Sequence, residues 1–183
     1  MKSLQGHLLI ATPALVDPNF FHSVVLLVQH SEEGALGVIL NRPSKTTIRR
    51  AWEEVRSTPC AHDAPLHLGG PCQGPLMAVH GDASFSEAEV APEAFFSADP
   101  ETLEQLVALP DIQIKFFIGY AGWGAGQLEQ ELEVGSWEIL PAGAKHIFGP
   151  TTSLWEESHR EVAGRRLFSA MRIKHVPEDP RLN

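Results

Sequence analysis

An α+β fold is predicted by three features of the 183-residue chain. Residues 23–29 (SVVLLVQ) and 36–40 (LGVIL) are apolar runs around the polar turn SEEG, and they read as a hairpin at the centre of a sheet. Residues 112–132 pass from an apolar strand, through Gly119, Gly122, Gly124 and Gly126, into a short helix. Helical patterns stand isolated among hairpins and do not alternate with strands as βαβ units. No repeat, low-complexity tract or linker divides the chain, so one domain is expected over residues 1–173, with a frayed polar tail at 174–183.

Composition narrows the function classes. Hydrophobic residues make up 43% and charged residues 20%, which suits a domain with a real core. The net charge of −9 repels nucleic acid and argues against direct DNA binding. Basic groups at Lys45, Arg49 and Arg50, and at Arg160, Arg165, Arg166, Arg172 and Lys174, read as solvated helix faces. The apolar run near the start, residues 8–11, is far below the ~20 residues of a membrane helix. No secretory leader is visible, and Cys60 and Cys72 fit a reducing compartment, so a cytoplasmic protein without membrane contact is expected. No Cys/His spacing fits a metal, and no motif asks for a cofactor.

In chain order, residues 6–11 read as a strand and 12–19 as a turn segment. Asp17 precedes Pro18, so it is either a turn-shaping side chain or a ligand contact. Residues 23–29 lack polar alternation, as a strand covered on both faces should. His30 at its end is a plain strand-end histidine or a general base. Asn41 and Arg42 close the next strand. Asn41 shapes the turn or binds, and the planar Arg42 fork suits a carboxylate, a phosphate or a structural partner.

Residues 46–56 read as an amphipathic helix with Ile48, Ala51, Trp52 and Val55 on one side. Residues 66–81 read as two strands around Gly69-Gly70-Pro71, where Gly70 lets backbone approach a ligand or another strand. Residues 82–98 read as loop. Asp99-Pro100 then opens a helix, with aspartate as cap and proline in the first turn.

The strand at 112–118 leads into the glycine turn at 119–126. That turn lacks the lysine and hydroxyl of a phosphate loop and the spacing of a dinucleotide fingerprint. It serves close helix–sheet packing or a weak anion site. Trp123 and Gln127 are four apart, on one side of the expected helix, as core anchor or pocket wall. A strand at 136–140 follows, then a possible strand at 146–148, and a capping box from Ser153 to Glu156 launches the last helix.

Four stretches carry a resemblance: residues 6–43, the segment Leu68-Gly69-Gly70-Pro71, residues 117–132 (FIGYAGWGAGQLEQEL), and Ile147-Phe148 with Leu154-Trp155. On these the chain resembles the YqgE/AlgH family of bacterial proteins, whose biochemical activity is unestablished. The resemblance implies a cytosolic bacterial protein whose branched mixed sheet contains a small closed β-barrel surrounded by helices. The description of transcriptional regulator attaches to the family through alginate control, with no DNA-binding motif beneath it. Cys72 stands where the family more often has an aliphatic residue, and the chain departs from the pattern after about Glu161.

The candidate ligand-binding set is Asp17, His30, Asn41, Arg42, Gly70, Trp123 and Gln127. The expected function is non-catalytic regulation through a protein or small-molecule partner. The alternative is an enzyme acting on a small anionic substrate held by Arg42 and the glycine turn, with His30 or Asp17 moving protons.

Overall fold

The structure is a computed structural model describing residues 2–170. The expected tail at 174–183, with Arg172 and Lys174, lies outside the described residues. The strands are β1 His7–Ala11, β2 Val24–Ser31, β3 Gly34–Ile39, β4 Pro43–Thr47, β5 Pro65–Leu68, β6 Cys72–His80, β7 Ala88–Ala91, β8 Ala94–Ser97, β9 Ile114–Gly124 and β10 Trp137–Pro141. The helices are α1 Ile48–Glu53, α2 Pro100–Ala108, α3 Gln127–Glu133, α4 Ala144–Phe148 and α5 Leu154–Ala170.

One path of ladders runs β10-β1-β2-β3-β9-β6-β8-β7. The β2–β3 hairpin sits inside it, as its apolar runs predict. The branch is at β9. It pairs antiparallel with β6 through residues 114–120, parallel with β5 at Phe117 and Ile118, and antiparallel with β3 at residues 121–124. The sheet is therefore mixed and branched. It is not the expected closed barrel: among the described residues no ladder joins its ends, β10 and β7, and it curls as an open half-barrel.

Strand periodicity sorts the apolar residues into layers. Leu8, Ile10, Leu26, Val38 and Phe117 pack in one cluster with Ile147 of α4 and Leu154 and Val162 of α5. Their neighbours Leu9, Val25, Leu27, Ile39 and Trp123 pack in a second cluster with Leu128 of α3. β2 is thus buried on both faces, which accounts for its unbroken apolar run. A third cluster joins Trp52 of α1 and Leu103 and Leu106 of α2 to Leu66, Ala78 and Phe116.

Helix α2 starts as read: Asp99 accepts from the Thr102 amide at 2.9 Å, with proline in the first turn. Other boundaries moved. Residues 43–47 form a strand against β5, so α1 is shorter than the expected helix. Residues 82–98 hold the β7–β8 hairpin, turned at Glu93 in a left-handed conformation (φ 59°). His146, Ile147 and Phe148 belong to α4 and not to a strand.

The largest change is at the glycines. Residues 119–124 are not a turn but the second half of β9, because the edge of β3 offers them ladder partners: Leu36 opposes Gly122 and Gly34 opposes Gly124. Gly119 (φ 72°) takes a left-handed conformation inside the strand, Gly126 (φ 74°) takes one after it, and α3 begins at the next residue.

Candidate functional site

The loop between β1 and β2 carries Asp17, Phe20, Phe21 and His22. Its first turn is local: Asp17 accepts the Asn19 amide on Oδ1 at 2.8 Å, and its carbonyl accepts the Phe20 amide at 3.0 Å. Its second half is held from across the sheet. Asn41 accepts the Val24 amide on Oδ1 at 3.0 Å and donates from Nδ2 to the His22 carbonyl at 2.8 Å. Arg42 donates from Nη2 to the Phe21 carbonyl. Burial lowers the pKa of the Arg42 guanidinium.

These bonds hold His22 at φ 53°. A non-glycine residue in that region costs on the order of 1–3 kcal/mol and persists only where its surroundings impose it. Its ring is sandwiched. The Phe21 centroid lies 3.9 Å away at 18°, and the Trp155 centroid 3.8 Å away at 19°. His159 continues the ladder, 5.4 Å from Trp155. The Trp155 indole donates to the Ala11 carbonyl at 2.7 Å. His159 donates from Nδ1 to Glu138 at 2.6 Å, and Arg166 pairs with the other oxygen of that carboxylate at 2.7 Å. Four stacked rings thus run from the loop to α5. Phe21 at the outer end is 45% exposed.

Trp123 lies in β9, so it shares no helix face with Gln127, the first residue of α3. The two meet instead at Glu131. One carboxylate oxygen accepts the indole N–H of Trp123 at 2.9 Å and of Trp137 at 2.8 Å. The other accepts from Gln127 at 3.0 Å, and Gln127 in turn accepts the Gly124 amide at 3.1 Å. Phe20 packs on both tryptophans, with centroids at 6.1 and 5.5 Å. Adjacent loop residues therefore reach both groups: Phe20 touches the Trp123 node and Phe21 the Arg42 clasp.

His30 and Gly70 lie elsewhere. The His30 ring accepts the Leu4 amide on Nδ1 at 2.9 Å and meets Glu129 on Nε2 at 2.9 Å, tying the N-terminal segment and α3 to β2. Bonds from its own amide and from His30 keep the Glu129 carboxyl below its usual pKa. Gly70 lies against β9: a Cβ there would come within 2.2 Å of the Tyr120 carbonyl carbon. Among the described residues, no group of three His, Cys, Asp or Glu side chains is placed to hold a metal ion. Cys60 and Cys72 are free thiols, and burial pushes the Cys60 pKa up.

His22, His159, Glu131 and Glu138 lie outside the candidate set, and the sequence reads Trp155 only within the last helix and the family resemblance. The run Phe20-Phe21-His22 behind Asp17-Pro18 was the one local hint, since aromatic residues in a turn need partners from elsewhere.

The profile of the AlgH-like family matches residues 8–166. The chain is 37% identical to the UPF0301 protein CT0663 of Chlorobaculum tepidum, over 97% of this chain and 95% of that one. It is 38% identical to the UPF0301 protein of Thermobifida fusca, over 99% and 96%. The solution structure of the AlgH protein from Pseudomonas aeruginosa superposes with a TM-score of 0.75 at 28% identity, covering 97% of each chain. The crystal structure of protein DIP2367 from Corynebacterium diphtheriae gives 0.69 at 28% identity, covering 88% of each. With the profile spanning nearly the whole described chain, this protein belongs to the AlgH-like family.

Proposed function

We propose that the chain is a single-domain cytosolic regulatory protein that works by binding, and that the clasped β1–β2 loop is its contact surface. The observation that carries this is His22. Asn41 holds its carbonyl and Arg42 that of Phe21, and the strained residue stacks between Phe21 and Trp155. Preformed loops on a rigid sheet are common recognition surfaces, and stacked rings supply contact area at little entropic cost. Asp17 and Asn41 direct their polar atoms into the loop itself, which suits a positioning role better than proton transfer. The net charge of −9 favours a protein or small-molecule partner over DNA, so any effect on transcription is indirect.

A photo-crosslinking residue at Phe21 tests this in cells. The expected result is a discrete adduct that is absent when the probe sits at Val134, which is 78% exposed at the end of α3. Equal, diffuse labelling from both positions overturns it.

A second reading, an enzyme on a small anionic substrate, is favoured by Arg42, which has no carboxylate partner among the described residues. The glycines cannot supply the amide cradle imagined for it, since β9 pairs there with β3. A thermal shift with small phosphates and carboxylates, lost in Arg42→Met, is its signature.

A further inference from the structure

A groove of ≈ 310 Å³ lies on the far side of the β9 branch, between α1, α2 and β6. Trp52, Leu66, Leu76, Leu103 and Ile118 give it apolar walls, with Val55 and Arg56 on its rim. The Trp52 indole N–H is turned away, donating to the carbonyl and hydroxyl of Thr58, each at 3.1 Å. The ring therefore offers the groove only carbon. The rim carries charges of both signs. Arg50 pairs with Glu54 and Arg49 with Asp63. Asp99, at the start of α2, is held to that helix by the Thr102 amide and hydroxyl and keeps its negative charge, since those bonds lower its pKa. Arg56 has no side-chain partner among the described residues.

An apolar slot with one unpaired cation at its mouth is complementary to an anionic amphiphile. We propose that this groove binds a medium-chain carboxylate, its alkyl chain against Trp52 and Leu103 and its head group on Arg56. The volume sits at the low end of small-molecule sites, about 300–1,000 Å³. At the roughly 30 Å³ share of a water-sized group, it holds about ten methylenes. The groove is apart from the β1–β2 loop, so the proposal stands independently of the reading above.

Titration calorimetry of the full chain with hexanoate, octanoate and decanoate, below their aggregation limits, tests the idea. Kd should fall about fourfold per added methylene, as expected for transfer of each CH₂ from water. Arg56→Met should weaken octanoate roughly three- to tenfold and leave 1-octanol unchanged. Val55→Asp, at a position 74% exposed and safe for folding, should weaken every carboxylate. Affinity that ignores chain length, or that survives both substitutions, overturns the proposal. So does binding of an acidic amphipathic peptide in the groove that no fatty carboxylate displaces.

Discussion

Asn41 closes around His22: its amide nitrogen donates to the His22 carbonyl at 2.8 Å while its oxygen accepts the Val24 amide at 3.0 Å. One side chain at a strand end thus fixes the strained residue's own carbonyl and the chain just after it, while Arg42 holds the carbonyl of Phe21 before it. The first prediction follows directly. Asn41→Ala should cost about 2 kcal/mol in urea unfolding, since two partly buried backbone groups lose their partner. Asn41→Asp should be no better, because its second oxygen faces the His22 carbonyl. His22→Gly should recover part of the loss in the Asn41→Ala background by relieving the left-handed strain.

Glu131 gathers two indoles and one amide onto one carboxylate. Glu131→Ala should therefore destabilise by about 3 kcal/mol and shift the tryptophan emission. Bonds to a charged group contribute roughly 1.5–3 kcal/mol each, and those sharing an acceptor do not add. Glu131→Gln should fall between, for its NH₂ would face the Gln127 donor. An unchanged unfolding midpoint in Glu131→Ala would show that the node carries no stability.

Two glycines should respond differently to alanine. At Gly70 the added carbon meets the backbone of Tyr120 and Ala121 at 2.2–2.4 Å, which only separation of the strands relieves. Gly70→Ala should cost more than about 4 kcal/mol. At Gly126 nothing lies within 4 Å, and the left-handed φ of 74° is the whole penalty. Gly126→Ala should cost about 1 kcal/mol. Thermal melts of the two variants separate these cases.

His67 should make stability fall in mild acid. Burial, helped by the charge of Lys115, lowers its pKa from 6.5 to about 4. Between those values the unfolded chain binds the proton and the fold does not. The contribution is complete above 6.5, shrinks as pH falls, and is lost through about 4. Linkage puts the difference between pH 7 and pH 5 on the order of 1–2 kcal/mol. His67→Leu should flatten that part of the urea–pH profile.

Glu161 acts at lower pH. Burial raises its pKa, but bonds from Lys145 and His146 and their charges outweigh it, and the carboxyl sits at about 2. Its stabilisation is full above the unfolded value near 4.5 and fades as pH falls through about 2. Glu161→Gln should remove that slope, while the His67 variant should leave it intact.

How much of this was readable before folding depends on whether the cause was local. Asp99, Pro100 and the spacing of Leu103, Leu106 and Val107 define α2 within ten residues, and the helix lies where they say. The unbroken run in β2 reports two buried faces, and it has them. The β7–β8 hairpin gave no such signal, because its turn is at Glu93 and not at a glycine. The glycines of β9 misled for a different reason. Their chain neighbours look like a turn, yet their partners are in β3, more than eighty residues earlier.

The clasp is the extreme case. Nothing near Asn41 says that it will meet His22, or that Trp155 will arrive from 133 positions later to stack on that ring. Periodicity and cap chemistry, acting within a few residues, decided the α+β class, the covered hairpin and the start of α2. The tertiary fold alone decided which carbonyl Arg42 holds, where the sheet stops short of closing, and which rings stack. Those outcomes are contacts between distant segments, and a side chain's nearest neighbours in sequence do not encode who its neighbours in space will be.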